Sequence, residues 1–111
     1  MEFKHKDLAK GRWQTLSLAQ QLSNIGSEVS RTMKWKDKDT NLFWGAVGRT
    51  LELFELTLND PRHKMRLKEL TRLHEIFCDA VLGGQEYNSD LKFLEQYFLY
   101  FTLYSRINKN N

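Results

Sequence analysis

His74 and Cys78 are the side chains whose types and spacing come nearest to a metal site in this sequence. They lie one helical turn apart, so a helix would place an imidazole and a thiol on the same face. A protein zinc site needs three or four ligands. The neighbouring acidic residues point to other faces of such a helix, and His5 and His63 are expected at the other end of the molecule. The pair therefore predicts no metal site and no cofactor, and His74 is interpreted as a residue at the edge of the core.

Motifs for catalysis are also missing from the sequence. It has no glycine-rich loop that would cradle a phosphate and no nucleophile elbow. It has no cysteine, histidine and acid at a plausible spacing, and a di-iron bundle would need Glu-x-x-His on two helices. The sequence therefore predicts no catalytic residues.

Positive charge collects near one end of the predicted fold, although the net charge is only +3. Four basic residues fall in the expected first turns of the third helix, where the helix dipole disfavours cations. Basic side chains at a helix N-terminus form a good anion site, which would contact phosphates without reading sequence. The alternative is that these side chains spread into water or pair with nearby acceptors. The candidates for binding RNA or another polyanion are Arg62, His63, Lys64, Arg66 and, from the end of the last helix, Arg106.

A polar stripe runs along the first predicted helix beside a row of small residues that includes Gly26. Glycine inside a helix costs about 1 kcal/mol relative to alanine, and close approach of a second helix backbone would offset that cost. The stripe consists of Asn24, Glu28 and Arg31. It is a candidate binding constellation, and the alternative is a solvated surface with a weak Glu28–Arg31 ion pair.

The fourth predicted helix has more apolar surface than one bundle interior requires. Leu94, Phe98 and Phe101 form one face, whereas most bundle helices keep their remaining faces polar. A second face is aromatic, and large exposed apolar patches usually mark interfaces. The alternative is a deeply buried helix whose tyrosine hydroxyls reach water at the rim. The candidate residues for an oligomer interface are Phe93, Tyr97, Tyr100 and Tyr104.

Hydrophobic periodicity predicts the elements that position these side chains, namely four helices of roughly 16–22 residues. Gly83 and Gly84 end the third helix. Short joins make successive helices antiparallel, so the predicted fold class is all-α, an antiparallel up-down-up-down four-helix bundle. The expected N-terminal caps are Ser17 with Gln20, Asp39 or Thr40, Asp60 before Pro61, and Asn88 or Ser89.

Length and composition indicate the domain organisation of the chain, which has 111 residues, 41% of them hydrophobic and 28% charged. We expect a basic flexible arm over residues 1–12 and a single four-helix-bundle domain over residues 13–111. A lone cysteine, Cys78, and the lack of an apolar leader or a membrane-length apolar run favour a cytoplasmic protein.

The stretch from Trp13 to Arg31, WQTLSLAQQLSNIGSEVSR, resembles the opening of a family of short bacterial hypothetical proteins, and residues 67–72 do so as well. The family carries no assigned activity. In size and helix plan the chain is also similar to the small bundle proteins of ribosomal RNA intervening sequences and to accessory proteins of diversity-generating retroelements, which are oligomeric and basic. The HEPN group, which includes RNases, is a further relative by plan, but the spacing of Arg66 and Arg72 to His74 departs from its Arg–His motif.

Taken together, the sequence favours a non-enzymatic, oligomeric helical protein, most simply a dimer, that binds a protein or nucleic-acid partner. The alternative is a HEPN-like RNase or an enzyme that processes a small ligand at an unrecognised site. A flat apolar face with a basic rim would favour the first function, and polar groups converging in a closed pocket would favour the second.

Overall fold

The computed structural model describes residues 11–83 and 90–107, except for the side chain of Ser105, and within these residues every regular element is helical. The predicted all-α fold class is confirmed for this part of the chain. Most of the expected arm, residues 1–10, lies outside the described residues. The α-helices are α1 (Leu18–Trp35), α2 (Thr40–Leu58), α3 (Leu67–Val81) and α4 (Leu91–Ile107), with short 3₁₀ segments at Trp13–Thr15 and Pro61–Arg66.

The helix ends follow the predicted capping residues. The Ser17 hydroxyl accepts a hydrogen bond from the Gln20 amide, and the Gln20 side chain accepts one from the Ser17 amide, so both halves of the capping box are present. Asp39 caps α2 by accepting from the Leu42 amide. Gly83 follows α3 with φ +114°, a conformation that glycine adopts at little cost. The expectation that Asn88 or Ser89 caps α4 is wrong, because Asp90 precedes this helix and its carboxylate accepts from the Phe93 amide at 2.9 Å.

The third α-helix begins six residues later than the position of Pro61 predicts. Asp60 does accept a hydrogen bond from the Arg62 amide, as an N-cap should. The following residues form 3₁₀ turns, and the backbone at His63 leaves helical values at φ −101° and ψ 19°. His63 lies in the interior at this point, where its ring contacts Gln21. The chain therefore forms no regular α-helical turn at the point where the polar ring of His63 enters the core.

The core is a single cluster to which all four helices contribute. Phe54 of α2 lies at its centre, with ring-centroid distances of 6.0 Å to Phe77 of α3 and 6.2 Å to Phe98 of α4. α1 packs extensively against α2 and α4, while α3 contacts α2 and α4 over shorter stretches. Each helix therefore buries one stripe against a shared interior.

Gly26 marks the closest approach of α1 to α4. A Cβ atom at this position would lie 2.5 Å from Cβ of Phe98, an atom fixed beside the α4 backbone. One turn away, the hydroxyls of Ser23 and Thr102 are 2.8 Å apart and share a hydrogen bond. The prediction that the row of small residues allows close helix packing is confirmed at Gly26.

Within the described ranges, no helix combines the length and the apolar character needed to cross a lipid bilayer.

We expect the substitution Gly26→Ala to lower the free energy of unfolding by about 1–3 kcal/mol, the usual cost of overpacking a core. This loss outweighs the gain of about 1 kcal/mol in helix propensity, because the added methyl group contacts the Cβ atom of Phe98, which is fixed beside the α4 backbone. Urea denaturation followed by circular dichroism measures the change. Ser27→Ala is the matched control, since Ser27 is the exposed next residue, and it should change stability by no more than about 0.5 kcal/mol. A Gly26→Ala variant as stable as the parent would contradict the close approach.

Candidate functional site

A network of buried polar side chains ties the start of the described chain to the connection between α2 and α3. The indole Nε1 of Trp13 donates to Oγ1 of Thr57 at 2.9 Å, and the Thr57 hydroxyl donates to the Leu53 carbonyl. The guanidinium of Arg62 donates to the Leu16 carbonyl at 2.6 Å. The bonds from Trp13 and Arg62 join residues more than forty positions apart in the chain, so they hold the segment before α1 against the end of α2.

Gln21 lies at the centre of this network and is fully buried. Its Nε2 donates to the Trp13 carbonyl at 2.9 Å and to Oδ2 of Asp60 at 3.1 Å. Its Oε1 lies 2.6 Å from Nε2 of His63. Because an amide oxygen only accepts, His63 must carry a proton on Nε2. The amide thus bonds three buried groups, one in the turn before α1 and two in the connection between α2 and α3.

Asp60 is a buried carboxylate held by charge-assisted hydrogen bonds. Nε of Arg62 donates to Oδ1 at 3.0 Å, and Nη2 donates to Oδ2 at 2.7 Å. The bonds from Arg62 hold the pKa of Asp60 well below its usual range, with further help from Gln21 and against the effect of burial. The carboxylate therefore stays charged although it is 2% exposed.

His63 is held in its neutral form by burial, which lowers its pKa below the ordinary value. Asp60, whose Oδ2 lies 3.4 Å from Nε2 of the ring, raises the pKa and opposes this effect in part. The network thus contains a buried acid and a buried histidine side by side, the types of residue used in acid–base catalysis.

The bonding of these groups favours a structural role over catalysis. Asp60 binds Arg62 and Gln21, His63 binds Gln21, and the Thr57 hydroxyl both donates and accepts within the network. Asp60, His63 and Gln21 are all buried, so no face of the cluster is open to a substrate. The arrangement positions the turn before α1 relative to the connection between α2 and α3.

The candidate residues for anion binding have differing environments. His63 is buried, and Arg62 is occupied with Asp60. Arg66 pairs with Glu69 through three hydrogen bonds of 3.0–3.1 Å. Lys64 and Arg106 are exposed. Part of the predicted positive charge is thus paired inside the chain, and binding of a polyanion at this end stays a prediction.

The polar stripe of α1 contains a buried ion-pair site that joins two helices. Glu28 is 5% exposed, although the sequence predicts it on the solvent-exposed side of α1. Its carboxylate accepts from Nη1 of Arg31 at 2.7 Å and from Nε of Arg49 on α2 at 3.2 Å. Asn24 is exposed and donates to the Gln20 carbonyl. The predicted Glu28–Arg31 pair is present, and Arg49 is the partner that sequence reasoning missed.

Tyr97 of α4 has a different environment from the other predicted interface residues. Its hydroxyl donates to Oε1 of Glu69 on α3 at 2.8 Å, and its ring lies 5.5 Å from that of Phe101. Burial and this hydrogen bond raise the pKa of Tyr97 to about 12. Tyr97 therefore packs at the edge of the core of its own chain.

The remaining candidates belong to a continuous exposed surface. Phe93 is 55%, Tyr100 67% and Tyr104 50% exposed, and three aliphatic side chains on the same side of α4 are exposed to a similar or greater degree. Sequence reasoning missed these three, although their spacing continues the helical period of the tyrosines. We call this surface the α4 apolar face, and its members are Phe93, Leu99, Tyr100, Leu103, Tyr104 and Ile107.

His74 and Cys78 lie beside a groove of about 410 Å³ between α2 and α3, with Sγ of Cys78 3.8 Å from Nε2 of His74. Burial raises the pKa of the thiol and lowers the pKa of the imidazole, so both groups are neutral. A reactive cysteine needs the opposite shift, toward the thiolate. Among the described residues, no group of three or more potential ligands is placed to hold a metal ion.

Comparison with protein-family models, with curated proteins and with solved structures found no match to this chain.

We expect the stability of the fold to decrease as the pH falls from 7.5 to 5.5. Because burial lowers the pKa of folded His63, the unfolded chain takes up a proton near pH 6.5 and the folded chain does so only at lower pH, so acid favours the unfolded state. Asp60 adds a second loss only below about pH 4, where the unfolded aspartate is protonated. Urea denaturation at a series of pH values measures both losses.

The substitution His63→Gln should reduce the dependence of stability on pH between 7.5 and 5.5. His74 also has a lowered pKa, so His74→Gln is the matched control. It should remove only the part of the pH dependence of stability that His74 contributes. A parent protein equally stable at both pH values, or a His63→Gln variant with an unchanged slope, would contradict the assignment of a neutral buried His63.

Proposed function

We propose that the protein is a non-enzymatic helical module that self-associates through the α4 apolar face. The observation that carries this proposal is the continuous exposure of six large apolar side chains along four turns of one helix. A helix at the surface of a monomer normally turns its polar side to water. The polar residues that interrupt this face are few, and Gln96 is one of them.

We also propose the antiparallel up-down-up-down arrangement for the protomer. Its support comes from the pairing of α1 with α4. Ser23 contacts Thr102, and three residues later along α1, Gly26 contacts Phe98, which lies four residues earlier along α4. Contact positions that rise along one helix and fall along the other are those of antiparallel neighbours.

The area of the α4 apolar face is compatible with a dimer. Large aromatic side chains bury roughly 150–250 Å² each, so six side chains exposed by about half or more present roughly 600 Å² per protomer. Two copies would then bury about 1,200 Å², the lower end of the range for specific interfaces. Removing that apolar surface from water is favourable by about 25 cal/mol per Å² before the costs of association.

Two-fold symmetry suits this face, because one self-complementary patch serves both partners. Tyrosine suits it as well, since the ring can be buried while the hydroxyl stays at the rim. Tyr97 is left out of the proposed interface, because its hydroxyl is bound to Glu69 within the protomer.

We expect the unmodified protein to have about twice the 13.2 kDa mass of one chain in light scattering at micromolar concentration. The double variant Tyr100→Glu and Leu103→Glu should have the mass of one chain, because four buried carboxylates across a two-fold interface lose their hydration without gaining partners. Circular dichroism should show unchanged helical content, since both side chains are about half or more exposed in the protomer.

The matched control is the double variant Leu42→Glu and Trp44→Glu, which alters two side chains of α2 with exposures of 44% and 48%. It should keep the dimer mass. A monomeric parent protein at micromolar concentration would overturn the proposal, and so would an α4 double variant that remains dimeric.

A further inference from the structure

We infer that the α4 apolar face is covered by α4 of a second copy running in the opposite direction, with the two-fold axis near Tyr100. This inference rests on the proposed self-association and adds to it the occupant of the face and its orientation. Three features of α4 support it: the spacing of its apolar residues, the placement of its charges, and the area estimated for the face.

Three of the six residues of the α4 apolar face are spaced symmetrically about its centre at Tyr100. Phe93 lies seven residues before it and Ile107 seven residues after it, which places each about 10.5 Å along the helix from Tyr100. The three side chains are 55%, 67% and 78% exposed. A repeat of seven keeps them on one seam of the helix, as in paired coiled helices. An antiparallel pair centred on Tyr100 therefore sets Phe93 of each copy against Ile107 of the other.

The charges beside the face favour the antiparallel orientation. Glu95 and Arg106 lie 40° or less apart around the helix, on the same edge of the α4 apolar face, at nearly equal distances before and after Tyr100. A two-fold axis perpendicular to both helices brings this edge against the same edge of the second copy. Glu95 of each copy then faces Arg106 of the other, and the dimer contains two such pairs.

A parallel pair lacks this complementarity. Its two-fold axis runs along the helices, so the edge that carries Glu95 and Arg106 meets the opposite edge, where Tyr97 and Tyr104 lie. Charges at the rim of an interface select orientation and partner more than they add affinity. The α4 apolar face accordingly supplies the attraction between the two copies, and the placement of Glu95 and Arg106 sets the relative direction of their α4 helices.

Cysteine cross-linking tests the orientation. Two variants, Phe93→Cys and Ile107→Cys, are prepared in a Cys78→Ser background, so that the native thiol does not take part. When the two are mixed and oxidised, we expect the mixed disulfide to predominate strongly over the disulfide between two like chains. In an antiparallel pair two Phe93 positions are about 21 Å apart along the helices, whereas in a parallel pair they are adjacent.

Light scattering of both variants under reducing conditions shows whether the dimer has survived the substitutions. A predominant disulfide between two Phe93→Cys chains would overturn the orientation and leave self-association standing. A dimer that gives no disulfide in any mixture would place the interface elsewhere and would overturn both the inference and the proposed face. A monomer already in the unmodified protein would overturn the proposed function itself.

Charge exchange gives a second test that leaves the apolar residues unchanged. Glu95→Arg and Arg106→Glu should each weaken the dimer by about tenfold, because each sets like charges opposite one another at two places. The two changes in one chain should restore the dissociation constant to nearly that of the unmodified protein, and salt should reduce all these differences. Single variants as tightly associated as the parent, or a double variant that stays weak, would overturn the proposed pairing.

Discussion

The side-chain amide of Gln21 determines how the beginning and the middle of this chain meet. It donates to the Trp13 carbonyl and to Asp60, and it accepts from His63. Each of these groups is buried, and a buried polar group without a partner costs about 1–3 kcal/mol. A hydrophobic side chain at this position would remove one hydrogen bond from each of the three groups at once, although Asp60 would keep its bonds from Arg62 and the Trp13 carbonyl its bond from the Leu16 amide. The amide therefore specifies one arrangement of α1, the preceding turn and the connection from α2 to α3.

The same network contains two residue types that also serve in acid–base catalysis. An aspartate and a histidine in contact inside a protein resemble an acid–base pair, yet here Asp60 is bound by Arg62 and Gln21, and Nε2 of His63 is bound by Gln21. Asp60 is charged because Arg62 binds it, and His63 is neutral because it is buried. These charged and polar side chains therefore join segments of the chain, which accords with a protein that exposes an apolar face.

The positions of the helices, apart from the start of α3, could be predicted from the sequence because they depend on local physics. The capping box of Ser17 and Gln20, the cap at Asp39 and the glycine after α3 each act over a few residues. The burial of Glu28 could not be predicted in this way, because its second partner, Arg49, lies on another helix. For the same reason, the inward turn of His63 follows from Gln21, forty-two positions away. Tyr97 was grouped with the exposed tyrosines because helical spacing alone does not show that Glu69 of α3 lies within reach.

The contact between Gly26 and Phe98 has an evolutionary consequence. The space that a larger residue would need at position 26 is already filled by the base of an aromatic side chain. An alanine or serine can replace the glycine only where α4 shifts outward or where glycine stands at position 98, because every other residue carries a Cβ atom there. In related chains these two positions should therefore vary together, even though they lie on helices at opposite ends of the sequence. The pair would act as a marker for this mode of helix packing in sequences too divergent for the helical pattern alone to relate them.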